Sequence, residues 1–333
     1  MKTQFTVKAF TLIVLLVAML SCDGYSQDGK TPAITKTFEL NQPGTLNSKS
    51  SGGGITVLSH NESNVEVQVF VRKNGQVLSP SDPKVDDVLE IFDLEIEQNG
   101  SVITAIAERR TNFNRFRNMG IYFTIKVPRE MSCNVSSSGG GLRISGVEGT
   151  HDFSSSGGSV ILENTAGTTR AKSSGGKVKA MNHMGDMHLT SSGGGVTLDE
   201  AQGSIYAHSS GGGVHLTNVH GEVEAGSSGG GISVSGACAY VKARSSGGSV
   251  RVNISNLSKG LHLQSSGGGV DAIIQNGDEL GLDLDLSSSS VKIELRNFSG
   301  RSEKDRVKGS MNDGGIPVYM RSSGGSVKVR YAE

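Results

Sequence analysis

The chain has 333 residues, of which 47 are glycine; aromatics make up 5% and tryptophan is absent. That composition excludes a thick, aromatic-rich globular core, and glycines that do not fall every third residue, with only six prolines, exclude collagen. Lys plus Arg and Asp plus Glu balance at 32 each, so the basic excess of a nucleic-acid binder is missing.

Residues 1–26 read as an export signal. Lys2 and Lys8 precede a short apolar run, Ala9 to Leu20, which cannot span a bilayer core of about 30 Å as a helix. Two processing outcomes follow. Met19-Leu20-Ser21-Cys22 resembles a bacterial lipobox, which puts a lipid on Cys22 and makes that anchor the only contact with a membrane. Cleavage near Gly24-Tyr25-Ser26 instead gives a soluble chain starting near Gln27. Both place the mature protein outside the cytoplasm, in the envelope or secreted.

Residues 27–136 form a β-rich segment that starts and caps the body. Phe38 to Val57 contains an early Ser-Ser-Gly-Gly copy at Ser50, and Val65 to Val71 alternates in hydrophobicity. Asp82 to Phe92 reads as a short helix. Leu94 to Ile106, turning at Asn99-Gly100, is a hairpin. Ile121 to Val127 is a strand leading through Pro128 into the first regular turn.

From 137 to 333 the chain repeats. Ser-Ser-Gly-Gly starts at Ser137, Ser155, Ser173, Ser191, Ser209, Ser227 and Ser245, a constant spacing of eighteen. It recurs at Ser265, decays to Ser287-Ser288-Ser289-Ser290 and returns at Ser322, while a second glycine series runs from Gly149 to Gly221 until Ala239 breaks it. Within each turn, pairs such as Val160/Leu162 and Thr169/Ala171 alternate with polar residues such as Arg170, so two strands each bury one face. The alternation points the first Ser of each corner inward and the second outward. An inward hydroxyl can bond backbone groups freed at the bend, or the Ser of the adjacent turn. The fold expected is all-β: a single-chain parallel β-helix (β-solenoid) with about 18 residues per turn, right-handed as parallel crossovers are. Arg301 to Asp313, a charged stretch that breaks the pattern, reads as an exposed excursion. Cys133 and Cys238 fall roughly six turns, or about 28 Å, apart, too far for a disulfide, so both are free thiols.

Tyr122-Phe123-Thr124-Ile125-Lys126-Val127-Pro128, the recurring Ser-Ser-Gly-Gly-Gly-[Leu/Val/Ile] and the terminal Gly324-Gly325-Ser326-Val327-Lys328-Val329 resemble the bacterial putative-adhesin domain family. The resemblance covers most of residues 35–333 and implies an adhesin-like β-repeat fold. It carries no catalytic residues to this chain, and the charged insertion near the end is longer than the family pattern.

Chemical motifs are sparse. Gly226-Ser227-Ser228-Gly229-Gly230 matches a nucleophile-elbow pattern but lacks its strand-to-helix context, and Lys177 lacks the rest of a phosphate loop. His183, His188, His208, His215 and His220 cluster mildly and read as solvated-face residues; His188 and His208 lie about 8 Å apart, too far for a shared metal. Only Asp271 fits a calcium-solenoid position. Asp283 and Asp285 alternate outward on an ordinary strand. No metal or other cofactor is expected, and no catalytic residue is assigned. Arg170, Lys172, Lys242 and Arg244 form an exposed basic face and are the candidate binding residues. The sequence therefore points to an exported adhesin-like binding and structural protein that presents a flat β-face to a surface glycan or an envelope protein. A polysaccharide-active enzyme on a β-helix and an envelope scaffold or sensor are the alternatives.

Overall fold

The computed structural model describes residues 31–110 and 119–332; the signal segment and Cys22 lie outside the described residues. Those residues are all-β, with twenty-six strands in one sheet system and the single short helix Lys84–Leu89. The helix falls inside the stretch expected to be helical and buries Val85 and Val88. The Asn99-Gly100 hairpin forms as well, with Gly100 at φ +60°.

In the middle of the chain the sequence spacing becomes spatial register. Val160 lies beside Val178, then Val196, Val214, Ile232, Val250 and Val270, each pair in parallel strands. Because like residues sit over like, side chains of similar volume stack in each inward column. The interior holds Leu142, Ile144, Phe153, Leu162, Leu189 and Leu198, all buried. At each Ser-Ser-Gly-Gly corner the first serine is buried, from Ser50 to Ser322, whereas Ser287 of the decayed copy is only half-buried. Its hydroxyl bonds backbone, not the neighbouring serine. Ser173 Oγ donates to Gly158 O of the rung below (2.8 Å) and accepts from Gly176 N (2.9 Å). The same pair of bonds recurs at Ser155, Ser191, Ser209, Ser227, Ser245, Ser265 and Ser322. Two backbone groups freed at every bend are satisfied by one small side chain.

The corner glycines are needed because stacked backbones nearly touch. A Cβ on Gly158 would lie 2.3 Å from Gly141 N and 2.5 Å from Gly140 C. A second bend was not legible as such. Asn164, Asn182, Glu200 and Asn218, nine residues after each corner serine, adopt φ between +54° and +58°. Asparagine tolerates this left-handed conformation better than most residues. Asn182 also donates to the Asn164 side chain one rung away (2.8 Å).

Immediately after that bend the chain points inward again, which corrects one expectation. His183 is buried (2% exposed) instead of lying on a solvated face. It joins His151, Thr165 and Thr169 in a polar cluster spanning three rungs of the interior. His183 Nδ1 pairs with Thr165 Oγ1 at 2.9 Å. Among the described residues, both ring nitrogens of His151, His183 Nε2 and Thr169 Oγ1 have no hydrogen-bond partner.

At both ends chain order and stacking order part company. The early copy, Gly44–Ser50 and Ile55–His60, sits between two later segments. One side takes Met131–Ser137 and Leu142–Ser145 (Ser50 beside Ser137, Ile55 beside Leu142). The other side takes Val102–Arg109 and Met119–Pro128. The last turn, Ile316–Ser322 and Val327–Ala332, likewise slips between the Ser265 turn and the strand Leu282–Ser287. Antiparallel strands close each end. Asn64–Lys73 and Phe92–Asn99 do so at one end, and Arg306–Met311 with Phe298–Ser302 at the other. The 301–313 stretch is thus mostly strand within the closing hairpin. Residues 301–306 are exposed, but Val307 and Met311 are buried against Leu282–Ser287, which corrects the reading of the whole stretch as an exposed excursion. Covering the terminal strands with charged antiparallel partners leaves less free edge for association.

Cys133 and Cys238 are free and buried, and burial pushes each thiol up to about 12, so neither is a ready nucleophile.

Candidate binding groove

The second strand of each rung carries polar residues outward, and register aligns them into columns. One column runs Asn47, Asn134, Asp152, Arg170, His188, Tyr206, Glu224, Lys242, His262 and Tyr319, one residue per rung. It passes unbroken through both inserted turns. Beside it, Thr150, Thr168, Asp186, Ser204, Glu222 and Tyr240 form a second, mostly small column. Together the two columns line a groove of about 710 Å³ from Asn134 to Tyr240.

Two ring pairs stand in the first column. His188 and Tyr206 stack with centroids 4.3 Å apart, and His262 and Tyr319 meet at 4.5 Å, tilted by 35°. Tyr206 is among the few large apolar side chains left exposed, at 36%. Partial burial, then the Arg170 charge, lowers the pKa of His188; burial, then Arg244 and Lys242, lowers that of His262. In both rings the shift favours the neutral form.

The expected basic face is dispersed by this geometry. Arg170 and Lys172 stand four rungs from Lys242 and Arg244, about 19 Å at one strand spacing per rung. Lys242 is paired with Glu224 (2.6 Å), and Arg244 contacts His262 Nε2 at 3.4 Å. Arg170 borders the groove between Asp152 and His188, and Lys172 is exposed on the neighbouring column. The surface is of mixed sign.

Other sequence-level candidates turn out to be structural. Ser227 of the elbow-like motif is a corner serine bonded to Gly212 O. Asp271 forms a two-pronged pair with Arg330 (3.0 and 2.8 Å). Asp283 accepts from Ser310 Oγ (2.7 Å) and Gly315 N (3.0 Å), bonds that hold its carboxyl below the usual range. Among the described residues no three His, Cys, Asp or Glu side chains are grouped to hold a metal.

The model of the Toastrack DUF4097 family matches residues 27–330. The chain belongs to that family. No curated protein matches it. Among solved structures, this Toastrack chain is similar to a putative adhesin from Bacteroides fragilis NCTC 9343, at 13% identity and a TM-score of 0.40, covering 89% of this chain and 96% of that one. A putative adhesin from Parabacteroides merdae ATCC 43184 shares 10% identity, with 91% and 97% covered and a TM-score of 0.42. A putative lipid binding protein from Parabacteroides distasonis ATCC 8503 shares 14%, with 92% and 98% covered and a TM-score of 0.38.

What the sequence missed is the ring pairing. His188 and Tyr206 are eighteen residues apart, so that pair was present in the spacing. His262 and Tyr319 are not; their contact depends on the last turn slipping back onto the Ser265 turn.

Proposed function

We propose that this Toastrack protein is an exported cell-surface or envelope protein, adhesin-like in mode, that presents a flat β-face to a glycan or protein partner. In this reading the body is a right-handed parallel β-helix of about eighteen residues per turn. Residues 1–26 are the export signal, 27–136 the cap and 137–333 the repeat body. Cys22 is either lipidated or removed by cleavage near Gln27; mass spectrometry of the mature N-terminus separates the two.

One observation carries the reading: the unbroken outward column that lines the groove from Asn134 to Glu224. Arg170 and Lys242 lie in that column, with Lys172 and Arg244 on its flank, and these four are the polar contacts of the face. A binding surface differs from a catalytic one in leaving its ligand unchanged. The test incubates the mature chain with a glycan array and with envelope proteins, and follows both retention and reducing-end release. Retention that disappears when Thr168→Arg and Ser204→Arg fill the groove, without product, is the expected result. Product release points to a polysaccharide-active enzyme, and retention that survives both arginines removes this face from the account.

A further inference from the structure

The two ring pairs have a relation that neither has alone. They stand in one column, and from Tyr206 to His262 the register advances three rungs, through Glu224 and Lys242. At one strand spacing per rung this is about 14 Å. Between the pairs lies the Glu224–Lys242 ion pair, which offers a carboxylate acceptor and an ammonium donor to anything passing over it. We propose that this column is a carbohydrate track: an extended chain of neutral pyranose rings lies along the stacking axis, with one sugar against the outer side of the His188–Tyr206 stack and a more distant one against the His262–Tyr319 pair. The proposal rests on the binding face described above and names its ligand class.

Three observations select that class. First, a pyranose has an apolar C–H face and a rim of hydroxyls, each of which donates and accepts. The outer side of the His188–Tyr206 stack, flanked by Arg170, Asp152 and Asp186, offers an apolar surface beside donors and acceptors. Second, the track is mixed in sign: Asp152, Asp186, Glu222 and Glu224 stand against Arg170 and Lys242, and Lys259 closes on Glu222 at 2.5 Å. A polyanion would meet the carboxylates and a polycation the bases, so a neutral chain is favoured. Third, a protein partner anchors in desolvated apolar pockets. Large exposed apolar anchors are scarce on this face: beyond Tyr206, those among the described residues are Met181 and Met184, which lie outside the groove lining.

The direction of the chain follows from the repeat. Equivalent outward positions recur only along the axis, and the two platforms share a column instead of a rung. A ligand lying across one rung would meet a single ring pair. Only an axial ligand meets both.

The experiment uses the mature full-length chain and an array of neutral α- and β-linked oligosaccharides of two to eight rings, followed by titration of the best binder and its disaccharide. Tyr206→Ala and Tyr319→Ala should each weaken the long oligosaccharide by about tenfold, the equivalent of about 1.4 kcal/mol for a lost aromatic contact. Their combination should cost about a hundredfold, while the disaccharide responds to no more than one of them. Lys179→Ala, an exposed residue of Val178–Met184 outside the groove lining, should change affinity by less than about twofold. Thermal unfolding of each variant confirms that the fold is retained. A long oligosaccharide bound equally well by the doubly substituted chain overturns the track but leaves the face. So does an empty array together with a protein partner whose binding is lost with Thr168→Arg and Ser204→Arg. Binding of any ligand that survives those two arginines overturns the face as well.

Discussion

The central rungs and the terminal rungs use the same corners and the same inward columns, yet they are assembled differently. Between Ser137 and Ser265, neighbours in sequence are neighbours in space, one rung per repeat. At the ends, Gly44–Ser50 and Ile316–Ser322 slip one rung inward, so that segments distant in sequence become neighbours. Stacking order therefore follows the match of columns (serine on serine, glycine on glycine) wherever loop length permits, and not the order of synthesis. Lengthening a loop costs only about 0.6 kcal/mol per doubling, so a well-matched rung outweighs the longer return. Ser322 bonds Gly268 O as Ser173 bonds Gly158 O, both at 2.8 Å.

The comparison predicts that the centre is sensitive where the ends are tolerant. The largest effect is expected at Gly158. Gly158→Ala forces a Cβ into stacked backbone and should cost about 4 kcal/mol or more, which abolishes the cooperative urea transition or shifts it sharply. Gly100→Ala, in the terminal hairpin with open space around it, should cost only about 1 kcal/mol for its positive φ.

Acid comes next. His151 and His183 are the buried histidines of the described residues, and both belong to central rungs. Burial, above all, holds His151 down to about 4 from 6.5, against smaller upward pulls from the backbone at Ala166 and Val147; the nearby His183 lowers it further. The unfolded chain therefore takes up protons first. Stability is complete above about pH 6.5, falls as pH drops toward 4, and levels off below that. A shift of this size corresponds to about 3 kcal/mol for His151. Urea titrations at pH 7, 5.5 and 4 measure it. His151→Leu should flatten most of the dependence.

Smaller effects separate the regions further. Ser173→Ala leaves Gly158 O and Gly176 N unpaired and should cost about 2 kcal/mol. Ser289→Ala, where an exposed hydroxyl reaches Gly325 O at the end of the stack, should stay within about 0.5 kcal/mol. Arg330→Ala is likewise small. It breaks an exposed pair with Asp271 and should change stability by at most about 1 kcal/mol, less in high salt.

Much of this architecture was legible in the sequence because a strict eighteen-residue repeat turns one-dimensional spacing directly into register. Ser155, Ser173 and Ser191 announce their column, and the alternation around Val160 and Leu162 announces which face is buried. The left-handed bend at Asn164, Asn182 and Asn218 was harder to see, because Glu200 occupies one of its positions and asparagine is also common in ordinary loops. Missing that bend put His183 outside, since the bend resets the alternation that follows it. The slipped ends were hidden for a different reason. Repeat spacing reports which segments are alike, but not which like segment comes to lie on which. Tyr319 could be placed over His262 only by knowing that Ser322 sits on Ser265. The acids of the groove were visible singly, but their pairing with Lys242 and Lys259 depends on side-chain reach between rungs.

Whether the last turn is inserted can be decided by cross-linking. Gln264, Arg321 and Ser287 share a column, with Arg321 between the other two. Cysteines at 264 and 321 should therefore close a disulfide readily under mild oxidation. Cysteines at 264 and 287, two rungs or about 9.6 Å apart, lie beyond the roughly 7 Å reach of a disulfide and should remain reduced. Rapid closure of the 264–287 pair, with 264–321 left open, would mean that the turns stack in chain order and that Tyr319 never meets His262.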